Sequence, residues 1–342
     1  MAEVLMVCAA PGIPVRGPSG CSAHLRGLAR AFARVASVRV VAASLSDRRG
    51  VHGGLEVPVA VAAPPLLVTR RFPERREAAW ANRVYRLAAR GPRPELVYER
   101  WTMMSEVGRR LRGKWDVPWV LEINAPLLEE RLRFEQVRDE AYARAWEARS
   151  LADADLYVCV SPWLAEWVAS RGVPEDRIEV VPNGTEAISG RPRETEGFVI
   201  GFLGSMKPWH GADRVAGLAE RVGGVALFVG DPPVSEREVA DCVATMDVGL
   251  APYRADAPPW FCPLKVAAYR AQGTPVVATA LGAMELWVGD GGTVTEDDDD
   301  DLVEAIEGWR GRRAPAMLRS WDDVAAEVLD GLVSRGCSLS FR

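Results

Sequence analysis

Apolar and polar positions along this chain follow two alternating periods. Short, largely apolar runs at residues 4–10 (VLMVCAA), 38–43 (VRVVAA), 96–99, 119–123, 156–160 and 178–181 predict buried strands. Segments with apolar residues at helical spacing lie between them, at 22–35, 75–90, 106–114 and 163–171, together with a long charged helix over 127–152. Continuous apolar strands separated by helices imply a parallel sheet covered on both faces. Residues 186–197 (EAISGRPRETEG) are polar, carry Pro192 and break the pattern, as an interdomain linker would. The alternation then restarts, with strands expected at 199–203, 225–229, 248–251 and 275–278 and helices at 212–221, 236–246 and 263–272. A last helix is expected at 321–332. The expected fold class is therefore α/β, with two Rossmann-like, doubly wound domains. The first covers residues 1–186, a linker 187–197 and the second 198–315, while 316–342 packs back towards the first.

Composition narrows the function. The chain is 48% hydrophobic and 26% charged with a net charge of -5, which favours neither nucleic acid nor an anionic membrane as partner. No apolar stretch approaches the ~20 residues that cross a bilayer. Met1-Ala2-Glu3-Val4 lacks the basic start of a signal peptide, so the cytoplasm is the expected address. The six cysteines form no CxxC pair, so neither a zinc site nor a disulfide framework is supported. The acidic run at 296–301 (EDDDDD) is read as the solvated start of a helix rather than a metal site.

The scarce cations carry more information. Of 42 Lys and Arg residues only Lys114, Lys207 and Lys265 are lysines, and there are three histidines, His24, His52 and His210. The turn Gly204-Ser205-Met206-Lys207-Pro208-Trp209-His210-Gly211 follows a predicted strand and holds one of each. A lysine there is a compact charge suited to phosphate oxygens. His210 is either a second cation or a satisfied capping residue. In the turn 258–266, Pro263 suits the first position of a helix, which puts Lys265 in the first turn against the helix dipole. An anionic ligand resolves that conflict. In the loop after the first strand, Gly17 and Gly20 permit close backbone approach and Ser22 could cap the following helix. The loop is not a GxGxxG fingerprint, so a dinucleotide cofactor is poorly supported.

The run Pro263-Leu264-Lys265-Val266-Ala267-Ala268-Tyr269-Arg270-Ala271-Gln272-Gly273-Thr274-Pro275-Val276-Val277-Ala278 resembles the nucleotide-sugar signature of retaining GT-B glycosyltransferases of family four. Further segments are similar to that family in the same order: 17–24, Tyr98-Glu99-Arg100, Leu121-Glu122-Ile123-Asn124-Ala125-Pro126, Val160-Ser161, Val181-Pro182-Asn183-Gly184, 204–211, 247–253 and 281–285. The resemblance implies a GT-B fold with a cleft between its two domains, the first binding the acceptor and the second the nucleotide sugar. It implies transfer with retention and without a metal or other cofactor, from a UDP-sugar in preference to a GDP- or dTDP-sugar. Lys207, Lys265 and Glu285 take the catalytic positions. Gly20, Ser205, His210, Pro263, Leu264, Lys265 and Tyr253 are the expected donor contacts. His24, Glu99, Arg100, Glu122 and Asn124, at strand ends or the start of a helix, are the expected contacts of a small polar acceptor. A buried ion pair of Arg100 with Glu99 or Glu122 is the competing reading of that set.

The chain departs from the family where two glutamates are usual: Trp260 and Ala268 stand there, and Ser205 replaces a common arginine. Three functions are therefore carried forward. The first is a glycosyltransferase of bacterial specialised metabolism, such as antibiotic biosynthesis, which the Arg-rich composition fits. The others are an inactive GT-B partner of another enzyme and a glycosyltransferase of cell-envelope assembly.

Overall fold

A computed structural model describes residues 2–46, 54–65, 72–230, 232 and 234–340. The chain divides into two compact units, Met1–Pro182 with Asp322–Arg342, and Asn183–Trp321. Each is a parallel sheet flanked by helices.

In the first unit the strands are β1 (Glu3–Cys8), β2 (Ser37–Ala42), β3 (Val59–Val61), β4 (Leu96–Arg100), β5 (Trp119–Ile123), β6 (Leu156–Cys159) and β7 (Ile178–Val180). They lie in the order β3-β2-β1-β4-β5-β6-β7, which reverses direction between β1 and β4. Ligands of such sheets bind outside the carboxyl ends at that switch point. The helices are α1 (Gly20–Ala33), α2 (Pro73–Ala88), α3 (Val107–Trp115), α4 (Leu127–Phe134), α5 (Glu140–Ser150) and α6 (Pro162–Ser170). β4, β5 and β6 are buried at every position, Glu99, Arg100 and Glu122 included because each is hydrogen-bonded inside.

In the second unit the strands are β8 (Val199–Leu203), β9 (Val225–Val229), β10 (Val248–Ala251), β11 (Val276–Thr279) and β12 (Gly292–Thr295), in the order β12-β11-β10-β8-β9. The switch point here lies between β8 and β10. Helices α7 (Val215–Arg221), α8 (Glu236–Thr245), α9 (Leu264–Ala271), α10 (Met284–Val288) and α11 (Asp299–Gly308) complete it. The final helix, α12 (Trp321–Ser334), belongs almost wholly to the first unit, where Arg335 pairs with Glu179 at 2.9 Å and Asp322 with Arg34.

Three expectations change. The single helix over 127–152 is two, α4 and α5. Asp139 caps α5 by accepting from the Tyr142 N–H, and the Arg138 N–H is taken by Glu74 Oε1 of α2, so the chain is pinned in a break. The helix expected over 212–221 becomes regular only at Val215, after two short 3₁₀ turns. The segment 187–197 is packed on the second unit: Gly190 N–H bonds Gln272, Arg191 N–H bonds Asp241 and Arg193 N–H bonds Thr245. The acidic run caps α11 through Asp298. Its carboxylates are taken by arginines, with Arg214 on Asp297 and Asp299 and Arg221 on Asp300. Among the described residues no cluster of side chains could hold a metal, and no helix is long and apolar enough to cross a membrane.

Candidate functional site

In the second unit the ladder between β8 and β10 ends at Phe202 and Leu250. The next N–H, of Leu203, turns instead to the Tyr269 hydroxyl at 2.7 Å, and that hydroxyl donates to the Leu250 carbonyl at 3.2 Å. A buried side chain from α9 thus bridges the two strands where they part. Beside it, Lys265 enters from the first turn of α9, whose N-terminal Pro263 and Leu264 carry no capping side chain. Lys265 is 7% exposed, and its Nζ makes no hydrogen bond. It lies 4.0 Å from the Phe202 ring centroid and 4.9 Å from that of Tyr253. Burial without a counter-ion pulls its pKa from 10.5 down to about 7. Two aromatic faces are its substitute for an anion.

The 204–211 turn closes over this lysine. Gly204 adopts a φ of +136°, and a Cβ there would stand 3.6 Å from Lys265 Nζ. Gly211 has a φ of +65°, and a Cβ would fall 1.8 Å from the Pro252 carbonyl oxygen, so only glycine lets the two loops approach this closely. His210 packs edge-on against Tyr253, with ring centroids 5.6 Å apart, and its Nδ1–H donates to the Ser205 carbonyl at 2.8 Å. Burial, then Lys265 and Lys207, hold His210 down at about 4, against the pull of that carbonyl. His210 is therefore neutral at pH 7. The expectation of a second cation is corrected at this position: two lysines already raise the local potential, and the ring is satisfied by its own loop. Ser205 and Lys207 are exposed, with Lys207 Nζ 5.5 Å from the Trp209 ring. Glu285 is exposed in the first turn of α10. A shallow groove of about 560 Å³ along α11 and the β12 edge, lined by Thr293, Asp301, Glu304, Trp309 and Arg312, shares no residue with this cluster.

In the first unit the expected acceptor residues part company. Side chains alternate along a strand, so in β4 Tyr98 and Arg100 face one side of the sheet and Glu99 the other. On the first side, Glu122 of β5 accepts from His24 Nε2 at 2.6 Å, from the Tyr98 hydroxyl at 2.8 Å and, more distantly, from Arg100 at 3.5 Å. The Arg100 guanidinium also donates to His24 Nδ1 at 3.3 Å, which fixes the neutral Nε2–H tautomer. Burial lowers the His24 pKa against the opposing pull of Glu122. Burial would raise Glu122, but His24, Arg100 and Tyr98 outweigh it and hold that carboxyl at about 2. All four residues are at most 7% exposed and leave no room among themselves for a water. On the opposite side, Glu99 accepts from the Ser105 hydroxyl at 2.5 Å and the Gly108 N–H at 2.7 Å, and burial lifts its pKa to about 7. The ion-pair reading thus describes the contacts of Arg100 and Glu122. Asn124, half-buried, stands just past β5. Gly20, exposed, opens α1, and the cap is Ser19 rather than the expected Ser22: the Ser19 hydroxyl accepts from the Ser22 N–H, because the helix starts two residues earlier than expected. Sequence reasoning missed Tyr98 in this network and Tyr269 at the strand fork. The period-2 pattern of LVYER was the available signal for Tyr98, and none existed for Tyr269.

Residues 18–187 match the family model Glycosyltransferase Family 4, and residues 199–309 match Glycosyl transferases group 1. The chain belongs to the GT-B glycosyltransferases. No curated protein is significantly similar in sequence. Among solved structures this glycosyltransferase is similar to HepE of Anabaena in complex with UDP, at 16% identity and a TM-score of 0.64, with 98% of this chain and 97% of that one covered. It is similar to a sucrose-phosphate synthase from Thermosynechococcus elongatus at 16% identity and a TM-score of 0.64, covering 97% and 95%. AviGT4, described as a glycosyltransferase involved in avilamycin A biosynthesis, matches at 16% identity and a TM-score of 0.62, covering 97% of each chain. At such identities the structural likeness speaks for the fold.

Proposed function

We propose that this chain is a retaining, metal-independent hexosyltransferase that moves a sugar from a UDP-sugar to a small polar acceptor in bacterial specialised metabolism. The carrying observation is Lys265: a buried ammonium without a hydrogen-bond partner, at the fork between β8 and β10. A diphosphate placed there meets that charge and the free N–H groups at the start of α9. Negative charge builds on the diphosphate as the sugar leaves, so Lys265, protonated as the diphosphate arrives, stabilises the transition state more than the ground state. Lys207 adds an exposed second charge, and Tyr253 and His210 pack beside Lys265. Ser205, Pro263 and Leu264 present backbone to the donor, and Glu285 meets its sugar. His24, Arg100 and Glu122 hold the acceptor side rigid instead of touching the reacting atoms. The complexes of HepE with UDP and with UDP-glucose support the donor class, and AviGT4 supports the metabolic role.

A second reading, an inactive partner protein, draws on Trp260 and Ala268, which put no carboxylate where the family usually has two; Trp260 is instead a buried ring against Phe261. One experiment separates the two. Thermal melts in EDTA with UDP, GDP, dTDP and UDP-glucose should show a shift of roughly a few degrees with the uridine compounds at saturating concentration. No shift with any nucleotide would sink the enzyme reading.

A further inference from the structure

Where β4 and β5 end, two buried polar atoms have no hydrogen-bond partner. Thr102 is 3% exposed with an unbonded Oγ1, and the Nδ2 of Asn124 is buried and unbonded. The strands are in register at this point: Arg100 pairs with Glu122, and the Trp101 N–H extends the ladder onto the Glu122 carbonyl at 2.9 Å. Thr102 and Asn124 each follow that pair by two residues, so both lie just past the carboxyl ends of these adjacent strands, Thr102 at the start of the turn its carbonyl closes onto the Ser105 N–H. Buried polar atoms in native proteins nearly all find partners, and two orphans delivered together point to a partner that is not part of the chain.

We propose that Thr102 and Asn124 together hold one hydroxyl of a small polyhydroxylated acceptor, a sugar or a cyclitol. The proposal rests on the glycosyltransferase reading above and names its acceptor contacts. The amide nitrogen of Asn124 only donates, whereas the Thr102 hydroxyl both donates and accepts. A ligand hydroxyl answers both, taking the Asn124 hydrogen on its oxygen and giving its own to Thr102. Arg100 and Glu122, two residues upstream, are locked by His24 and Tyr98, so the ends of both strands are ordered before the ligand arrives. His24, Arg100 and Glu122 therefore act as positioning residues, and the contact falls to the next pair along the strands.

The test is saturation-transfer NMR on the full chain with myo-inositol, glucose and glycerol, each with and without UDP. The wild type should bind the cyclitol or the sugar. Thr102→Val and Asn124→Leu should each weaken that binding about tenfold or more, while Thr102→Ser keeps it. Thr102→Val only removes an unsatisfied hydroxyl, so it should melt no lower than the wild type, which separates lost contact from lost fold. The UDP-induced thermal shift should be the same in all four proteins. Failure of every polyol to bind the wild type overturns the proposal, as does unchanged binding in Thr102→Val and Asn124→Leu. Absence of a UDP shift in the wild type counts against the enzyme reading alone, because the polyol arm is also scored without nucleotide.

Discussion

Lys265→Met separates the stability of the donor pocket from its function. Methionine keeps the length and apolar stem of lysine and removes the charge. The drop in pKa from 10.5 to about 7 corresponds to roughly 5 kcal/mol of penalty on the charged form at neutral pH. The variant sheds that penalty and should be more stable by about 4 kcal/mol, raising the melting temperature of the second unit by roughly 10–15 °C at pH 7. The sign of the pH dependence follows from the same group. Between about 7 and 10.5 the unfolded chain holds a proton that the folded protein has shed, so wild-type stability rises with pH across that window. In Lys265→Met that rise should vanish. UDP-glucose titrated by calorimetry reports the other half. Its diphosphate draws a proton onto Lys265, so wild-type affinity should be greatest below pH 7 and fall as pH rises, whereas the variant should bind weakly at every pH. A variant that melts lower than the wild type yet binds UDP-glucose equally well would refute the reasoning.

Three further outcomes are expected. Glu122→Gln strips the anion from a buried network and leaves His24 and Arg100 facing a neutral amide, so urea unfolding should show a loss of about 3–5 kcal/mol. The wild-type carboxyl titrates at about 2 against an ordinary 4.5, so its stability is present above pH 4.5 and is lost on acidification towards 2; the variant should lack that acid limb. Glu99→Gln tests the opposite case: with the folded carboxyl at about 7, wild-type stability should fall as pH rises from 4.5 through 7, and the variant should be flat there in thermal melts. Gly211→Ala forces a Cβ against the Pro252 carbonyl at a φ of +65°, so it should cost about 2 kcal/mol or more and abolish the uridine nucleotide shift; a variant as stable as the wild type would show that this loop contact is dispensable.

The pairing of Glu122 with His24 and Arg100 shows where sequence reading stops. Residues 24, 100 and 122 are far apart in the chain, and each stood out as a polar group at a strand end or helix start. Alternation along β4 could place Arg100 and Glu99 on opposite faces. Whether Arg100 met a ligand or Glu122 depended on the strand order, which brings β5 beside β4 in register. The same holds for His210, whose charge is decided by Lys265 reaching it from a helix more than fifty residues on.

The sequence by itself determined the two α/β units, because period-2 and period-3.6 burial patterns act locally and strands buried on both faces are largely apolar. It also determined that the turns after β8 and before α9 are unusual, since a lysine opposing a helix dipole is a local conflict visible without coordinates. The break between α4 and α5 could not be read from the chain, because it is pinned by Glu74 on another helix. Nor could the bridge of Tyr269 between β8 and β10, or the isolation of Lys265 Nζ. These are properties of long-range packing: which side chain finds a partner, and which is left with a charge to offer, is settled only when distant strands share a sheet.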